Sequence, residues 1–312
     1  MKVVDLLKLG IVFSVLFGAV AKATPIVYTL STDSEDSFYA YNPITDQWSQ
    51  KASFSTNANL AVDKNGDVFG LSRTGVLSRY DSLLDSWVSI AGGGLTSDAN
   101  LEVLNDGRFF VTGLGQSTYN IFDGSQWSTG NLGFTSSQNG DYDPFTNTLV
   151  LSENGSSASR LINVNDFSST RYGVGATFTG EIKRAGALLN GIYYQKWGTN
   201  DLFAIDLADV NSALFSVGDG PNDLWYPSAA ADRENNLIYL GGIGSGRFDF
   251  EVFDPTTRQF TDLSDIPSGL GFHSSMVVGG VSVQSKPIPE PSALALIGLG
   301  LAGLAVRRRI KK

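Results

Sequence analysis

An aromatic-Asp/Asn turn followed within a few residues by a second aromatic recurs along the chain at a spacing near 40 residues. The copies are Tyr41-Asn42-Pro43-Ile44-Thr45-Asp46-Gln47-Trp48, Tyr80-Asp81 to Trp87, Phe122-Asp123 to Trp127, and Phe253-Asp254-Pro255-Thr256-Thr257-Arg258-Gln259-Phe260. The three tryptophans stand 39 and 40 residues apart. Degenerate copies at Asn163-Val164-Asn165-Asp166 to Tyr172 and at Ile205-Asp206-Leu207 to Phe215 fill the interval and make six units. A second signal runs in phase: Asp63-Lys64-Asn65-Gly66-Asp67, Asn105-Asp106-Gly107, Asn190-Gly191 and Arg233-Glu234-Asn235-Asn236 each join one apolar strand to another. Asn, Asp and Gly reach the positive φ angles that tight hairpins need. Each unit therefore reads as a four-stranded meander, and a period near 40 with four short strands predicts an all-β, six-bladed β-propeller. The first unit opens at Ile26–Leu30 with no preceding strand, while Ser274–Val283 follows the sixth unit. That last segment is expected to supply the missing innermost strand of blade 1 and close the ring.

Two propeller families are similar to parts of this body. Leu240-Gly241-Gly242, Phe253-Asp254-Pro255, Phe260 and His273 resemble a kelch repeat. Val62 to Leu71 and Arg79-Tyr80-Asp81 look like the repeats of sensor-type and NHL-like propellers. Neither pattern holds over all six units.

The two ends of the chain read differently from the body. Ile288-Pro289-Glu290-Pro291-Ser292 precedes the small, apolar run Ala293–Val306, and Arg307, Arg308, Arg309, Ile310, Lys311 and Lys312 follow it. This order of Pro-Glu-Pro motif, short membrane segment and Arg cluster resembles the PEP-CTERM sorting signal of bacterial envelope proteins. The resemblance implies recognition by an exosortase-type membrane protease and cleavage near Pro289, Glu290 and Pro291. A helix over Ser292–Val306 would reach roughly 22 Å against a hydrocarbon core of ~30 Å, a marginal anchor. The basic cluster stays cytoplasmic by the positive-inside rule, placing everything before Pro289 on the far side. At the other end Leu9–Ala21 has signal-peptide length, and Ala21 and Ala23 occupy the two positions a signal peptidase reads, so cleavage leaves Thr24. The expected organisation is a signal peptide at 1–23, a propeller at 24–285, and a sorting signal at 286–312. Its parts are the motif 288–292, the membrane helix 292–306 and the basic tail 307–312. The expected route uses the Sec machinery and signal peptidase, and the destination is the envelope or the outside of a Gram-negative cell, with the C-terminus cytoplasmic until processing.

The exported body is acidic. Between residues 24 and 285 thirteen basic residues face twenty-nine acidic ones, a net charge of −16 that opposes nucleic-acid binding. There is no cysteine, which excludes a lipoprotein anchor and disulfides. His273 is the only histidine, so a zinc site built on several histidines cannot form. As a general base His273 would need an orienting carboxylate, and it also sits where kelch repeats carry a packing histidine. Copper radical oxidases, raised by the kelch-like resemblance, need a cysteine-linked tyrosine. Phe122-Asp123-Gly124-Ser125-Gln126-Trp127 lacks a residue needed for a sialidase Asp-box. Asp63, Asn65 and Asp67 alternate as calcium ligands do, yet the bidentate acid of a calcium loop is missing and the segment also reads as a plain turn. No other cofactor is expected. Glu102, Asp141, Asp143, Glu153, Glu181 and Asp232 lie near strands that can face the axis, where pairs of acids can hydrolyse glycosidic bonds. Trp197, Trp225, Tyr193 and Tyr226 are candidates for stacking on sugars or for packing between blades. The leading expectation is a non-catalytic body binding exopolysaccharide or a surface protein. The alternative is an extracellular hydrolase or lyase acting on polysaccharide or a lactone.

Overall fold

The computed structural model describes residues 24–31, 37–54, 59–93, 99–156, 158–173, 185–196, 201–219, 225–244, 247–265 and 273–280. The signal peptide and the sorting tail predicted above lie outside the described residues, as do Glu181 and Trp197. The body forms a compact unit over Thr24–Val281.

Six four-stranded antiparallel sheets make up this unit. Blade 1 takes β1 (Pro25–Ser31), β2 (Phe38–Asn42) and β3 (Gln47–Lys51). Blade 2 is β4 (Asn59–Val62), β5 (Val68–Leu71), β6 (Leu77–Asp81) and β7 (Ser86–Ala91). Blade 3 is β8 (Ala99–Val103), β9 (Phe109–Gly113), β10 (Thr118–Phe122) and β11 (Trp127–Asn131). Blade 4 is β12 (Ser136–Asp143), β13 (Thr148–Glu153), β14 (Ser159–Ile162) and β15 (Ser169–Tyr172). Blade 5 is β16 (Ala185–Leu189), β17 (Ile192–Lys196), β18 (Asp201–Asp206) and β19 (Phe215–Asp219). Blade 6 is β20 (Trp225–Asp232), β21 (Leu237–Gly244), β22 (Arg247–Asp254) and β23 (Gln259–Asp262). The last strand, β24 (His273–Gly280), pairs with β1 rather than with blade 6.

The predicted ring closure is therefore present, in the register Val27↔Val278, Tyr28↔Val277 and Thr29↔Met276. The strand begins at His273, and residues 281–283 of the expected strand lie outside the described residues. Blade 2 seats β24 closely. Gly66 has φ +86°, and a Cβ there would stand 2.6 Å from the Gly280 nitrogen. Only glycine combines that φ with that approach.

The core is divided among the blade interfaces. A strand sends alternate side chains to opposite faces, so Phe69 and Leu71 join blade 3 while Val68 joins blade 1. Strands buried on both faces consequently read as unbroken apolar runs, as in Leu149-Val150-Leu151, whose three side chains are fully buried. Among the described residues, the interface between blades 4 and 5 has the smallest apolar cluster, with Val150, Leu188 and Tyr193 at its centre.

The repeated turn also ties blades together. Tyr41 donates to Asp46 and Tyr80 to Asp85, with both aspartates at positive φ. The same carboxylates then accept the N–H of Ser264 and of Ala52 in the preceding blades. The Trp48, Trp87 and Trp127 indoles donate to the carbonyls of Ser264, Ala52 and Gly92, at 2.9, 3.1 and 2.8 Å. The spacing of the three tryptophans is thus the spacing of one inter-blade contact repeated three times.

Deleting Ser274–Ser285 is expected to lower the melting temperature far more than deleting the chain from Lys286 onward, because only the first removes β24. Gly66→Ala is expected to cost about 1–3 kcal/mol, since alanine meets both the strained φ and the Gly280 backbone. Thermal melts of the three variants read both effects, and equal melts for the two deletions would show that β24 does not close the ring.

Candidate functional site

The inner strand of each blade is a sheet edge facing the axis, so its axial backbone groups have no strand partner. Polar side chains from neighbouring inner strands meet that need. The Leu60 N–H donates to Ser275 Oγ at 3.0 Å, the Tyr142 N–H to Glu102, and the Leu188 N–H to Asp141 Oδ2 at 2.6 Å. Each contact staples one blade to the next, from blade 1 to 2, from 3 to 4 and from 4 to 5.

These groups surround a cavity of about 80 Å³ lined by the inner strands of all six blades. Roughly 10–15 Å³ holds one water, so the space suits a handful of waters. Pockets for drug-sized ligands start near ~300 Å³.

Four charged side chains concentrate at the end of the cavity nearest the hairpin turns. Arg233, from the turn after β20, reaches past blade 5 to blade 4. There its Nη2 donates to Asp141 Oδ2 at 2.9 Å and to the Tyr142 carbonyl at 3.0 Å. Its Nε lies 3.3 Å from Asp143 Oδ1. Glu102 accepts from Asn100 Nδ2 at 3.2 Å. Gly140 leaves room for that amide, because a Cβ would stand 2.5 Å from it. Burial, reinforced by the Asp141 charge, holds the Glu102 carboxyl well above its ordinary value. Burial also raises Asp141, against the pull of Arg233 and the Leu188 N–H. Tyr193, buried between blades 4 and 5 and bonded to Ser152, is raised by burial and feels both carboxylates.

Of the six acids expected near the axis, the fold brings Glu102, Asp141 and Asp143 together around Arg233. Asp143 also accepts from the Phe145 N–H and the Thr146 hydroxyl, and so belongs half to its turn. Asp232 is buried but spends its carboxylate on Glu234 and Asn235. Glu153 lies at the opposite end of blade 4, held by Arg160 and Arg171. Tyr193 packs between blades; the side chains of Trp225, Tyr226 and His273 lie outside the description. Asp63 accepts from the Asn65 and Asp67 N–H groups and from the Asn65 amide, so its carboxylate serves the turn. Among the described residues no three His, Cys, Asp or Glu side chains converge as metal ligands. Sequence reasoning missed Asn100, Ser275 and above all Arg233. Arg233 stood inside a recognised hairpin turn, but nothing in the sequence indicates a reach across an intervening blade.

The cluster has a titration consequence. A carboxyl whose folded pKa is raised stabilises the fold when protonated, and that contribution is lost as pH rises through the folded pKa. For Glu102 the loss starts above the ordinary value of 4.5. Asp141, Asp143, Arg233 and Tyr193 surround the same space, so comparison with Glu102→Gln isolates the one group. The variant is expected to melt higher than wild type at pH 8 and to show a flatter decline between pH 5 and pH 8. Chemical denaturation across that range checks it, and parallel curves would place Glu102 in solvent.

Comparisons with known proteins agree with this architecture. Residues 287–309 match the PEP-CTERM protein-sorting motif. No curated protein sequence matches the chain. Among solved structures, a chain of a nidogen/laminin complex superposes with TM-score 0.65 at 11% identity, covering 82% of this chain and 98% of that one. A protein of unknown function from Bacteroides caccae gives TM-score 0.58 at 11% identity, over 82% and 99% of the two chains. The WD40 repeats of RRP9 give 0.53 at 12% identity, over 81% and 80%. At such identities the likeness establishes the fold alone. The sorting motif implies processing by exosortase, a membrane protease. The chain is an exported, envelope-associated protein whose body is a six-bladed β-propeller.

Proposed function

We propose that the propeller is a non-catalytic binding module, displayed at the cell surface or in the exopolysaccharide matrix, where it holds a glycan or a surface protein. The observation that carries this reading is the state of the axial carboxylates. Glu102 and Asp141 are bonded to backbone N–H groups of the next blade and face a cavity of about 80 Å³. An inverting pair of acids needs a water and a sugar between them. Here Asn100 donates to Glu102, and Arg233 and the Leu188 N–H hold Asp141. Propellers are suited to binding because their loops project from rigid blades. An extracellular hydrolase or lyase is the competing reading, and one observation favours it: a glutamate with a raised pKa beside a second carboxylate is the arrangement of an acid and its partner.

Delivery follows from the ends of the chain. In this reading the Sec route exports the protein, signal peptidase cuts after Ala23, and the apolar segment 292–306 holds the chain in the membrane with Arg307, Arg308 and Arg309 in the cytoplasm. Exosortase then cuts near Pro289-Glu290-Pro291. Mature protein from the envelope fraction is expected to begin at Thr24 and to lack the tail through Lys312. Mass spectrometry of its terminal peptides measures this, and recovery of full-length C-termini alone would remove the processing step.

The body is expected to bind host exopolysaccharide or an envelope protein and leave it intact. Incubation with the exopolysaccharide, followed by reducing-end and unsaturated-product assays, reads turnover. Sustained release of shorter chains that disappears in Glu102→Gln or Asp141→Asn would establish the enzyme instead.

A further inference from the structure

One five-residue turn occurs six times among the described residues, on the face where the hairpins joining first to second and third to fourth strands emerge. It spans Asn42–Asp46, Asp81–Asp85, Asp143–Asn147, Asn163–Phe167, Asp232–Asn236 and Asp254–Arg258. In each, the first side chain accepts the N–H of the third residue. In each, the fifth residue adopts φ between 46° and 58°. The side chain of the third residue has no part in that hydrogen bond, and Asn165 serves there in blade 4 as Glu234 and Thr256 do in blade 6. Yet it is Ile44 in blade 1, Leu83 in blade 2 and Phe145 in blade 4, exposed by 74%, 85% and 72%. Leu84 beside Leu83 is 73% exposed.

Blades 1 and 2 concentrate this feature. Ile44, Leu83, Leu84, Val88 and Ile90 are five of the eight exposed large apolar side chains among the described residues. The last two run along β7 from the same hairpin. Soluble surfaces scatter such residues singly, whereas a local concentration marks a contact surface. The charge around them is mainly negative. The turns 42–46, 63–67 and 81–85 hold five aspartates and one lysine, and Lys51 and Arg79 act on Asp85 and Asp67. Asp46 and Asp85 are kept ionised into mild acid by their tyrosine and backbone donors.

We propose that this sector of the turn face docks a basic protein surface that presents apolar side chains, such as a cationic amphipathic helix. Anionic glycans and anionic lipid surfaces meet like charge here. A neutral apolar partner would desolvate five aspartates whose charge Lys51, Lys64 and Arg79 offset only in part. A basic partner with an apolar stripe satisfies both features. The inference rests on the reading of the body as a binding module and specifies the partner's chemistry on one face.

A helical peptide of leucine and lysine with one apolar face is the probe, and oligolysine of equal charge is the control. Fluorescence anisotropy is expected to show that the amphipathic peptide binds the mature protein about ten-fold more tightly than oligolysine. Both affinities are expected to fall with added salt. The triple variant Ile44→Thr, Leu83→Thr, Leu84→Thr, checked for an unchanged melt, is expected to remove that ten-fold excess and leave oligolysine binding as it was. Equal binding of the two peptides to wild type, or an excess that survives the triple substitution, would overturn the proposal. Binding of the protein to envelope fractions, measured in parallel, separates the outcomes. If it persists while the peptide excess is missing, only this surface is wrong; polysaccharide cleavage would instead overturn the binding-module reading.

Discussion

The pairing of β24 with β1 is the constraint on which the rest of the body depends. A ring of six sheets has no free end only if the last strand of the body pairs with the first, here from Pro25↔Gly280 to Leu30↔Ser275. Without that ladder β1 would be an apolar inner edge exposed to other chains. The pairing crosses nearly the whole body in sequence, so its loop-closure entropy opposes folding until the intervening blades have packed. The Gly66–Gly280 approach shows how tightly the late strand must fit against blade 2.

Between the blades, apolar packing and a repeated polar contact share the work unevenly. The interfaces from blade 6 to 1, 1 to 2 and 2 to 3 each carry a tryptophan indole bonded to the preceding blade. Elsewhere other contacts appear: Arg108 to the Val164 carbonyl between blades 3 and 4, Ser152 to Tyr193 between 4 and 5, and Asn190 to Asn236 between 5 and 6. A half-buried tryptophan supplies large area and one donor, and a backbone carbonyl at the end of a neighbouring outer strand accepts it. The degenerate repeats use different side chains to meet the same requirement, that no polar group be buried unpaired.

The axial cluster shows why acids near a propeller axis are weak evidence for catalysis. Inner strands present unpaired N–H groups to the axis, and a carboxylate is a strong acceptor for them. Glu102 and Asp141 serve in that way, and Arg233 offsets part of their charge across blade 5. The result is a hydrogen-bonded polar cluster at the axis.

The repeat, the number of blades and the closing strand were legible in the sequence, because turn chemistry and alternation act over a few residues and recur. The sorting signal was legible for a similar reason, since its motif, apolar run and basic cluster are contiguous. The sequence alone also determined that no disulfide supports the body and that its charge is strongly negative. Tertiary structure alone decided which acids meet. Glu153 and Asp143 lie near opposite ends of blade 4, whereas Glu102 of blade 3 shares a cavity with Arg233 of blade 6. Those partnerships depend on how six twisted sheets are arranged around one axis. Side-chain reach across blades is set by that packing, and no local pattern along the chain encodes it.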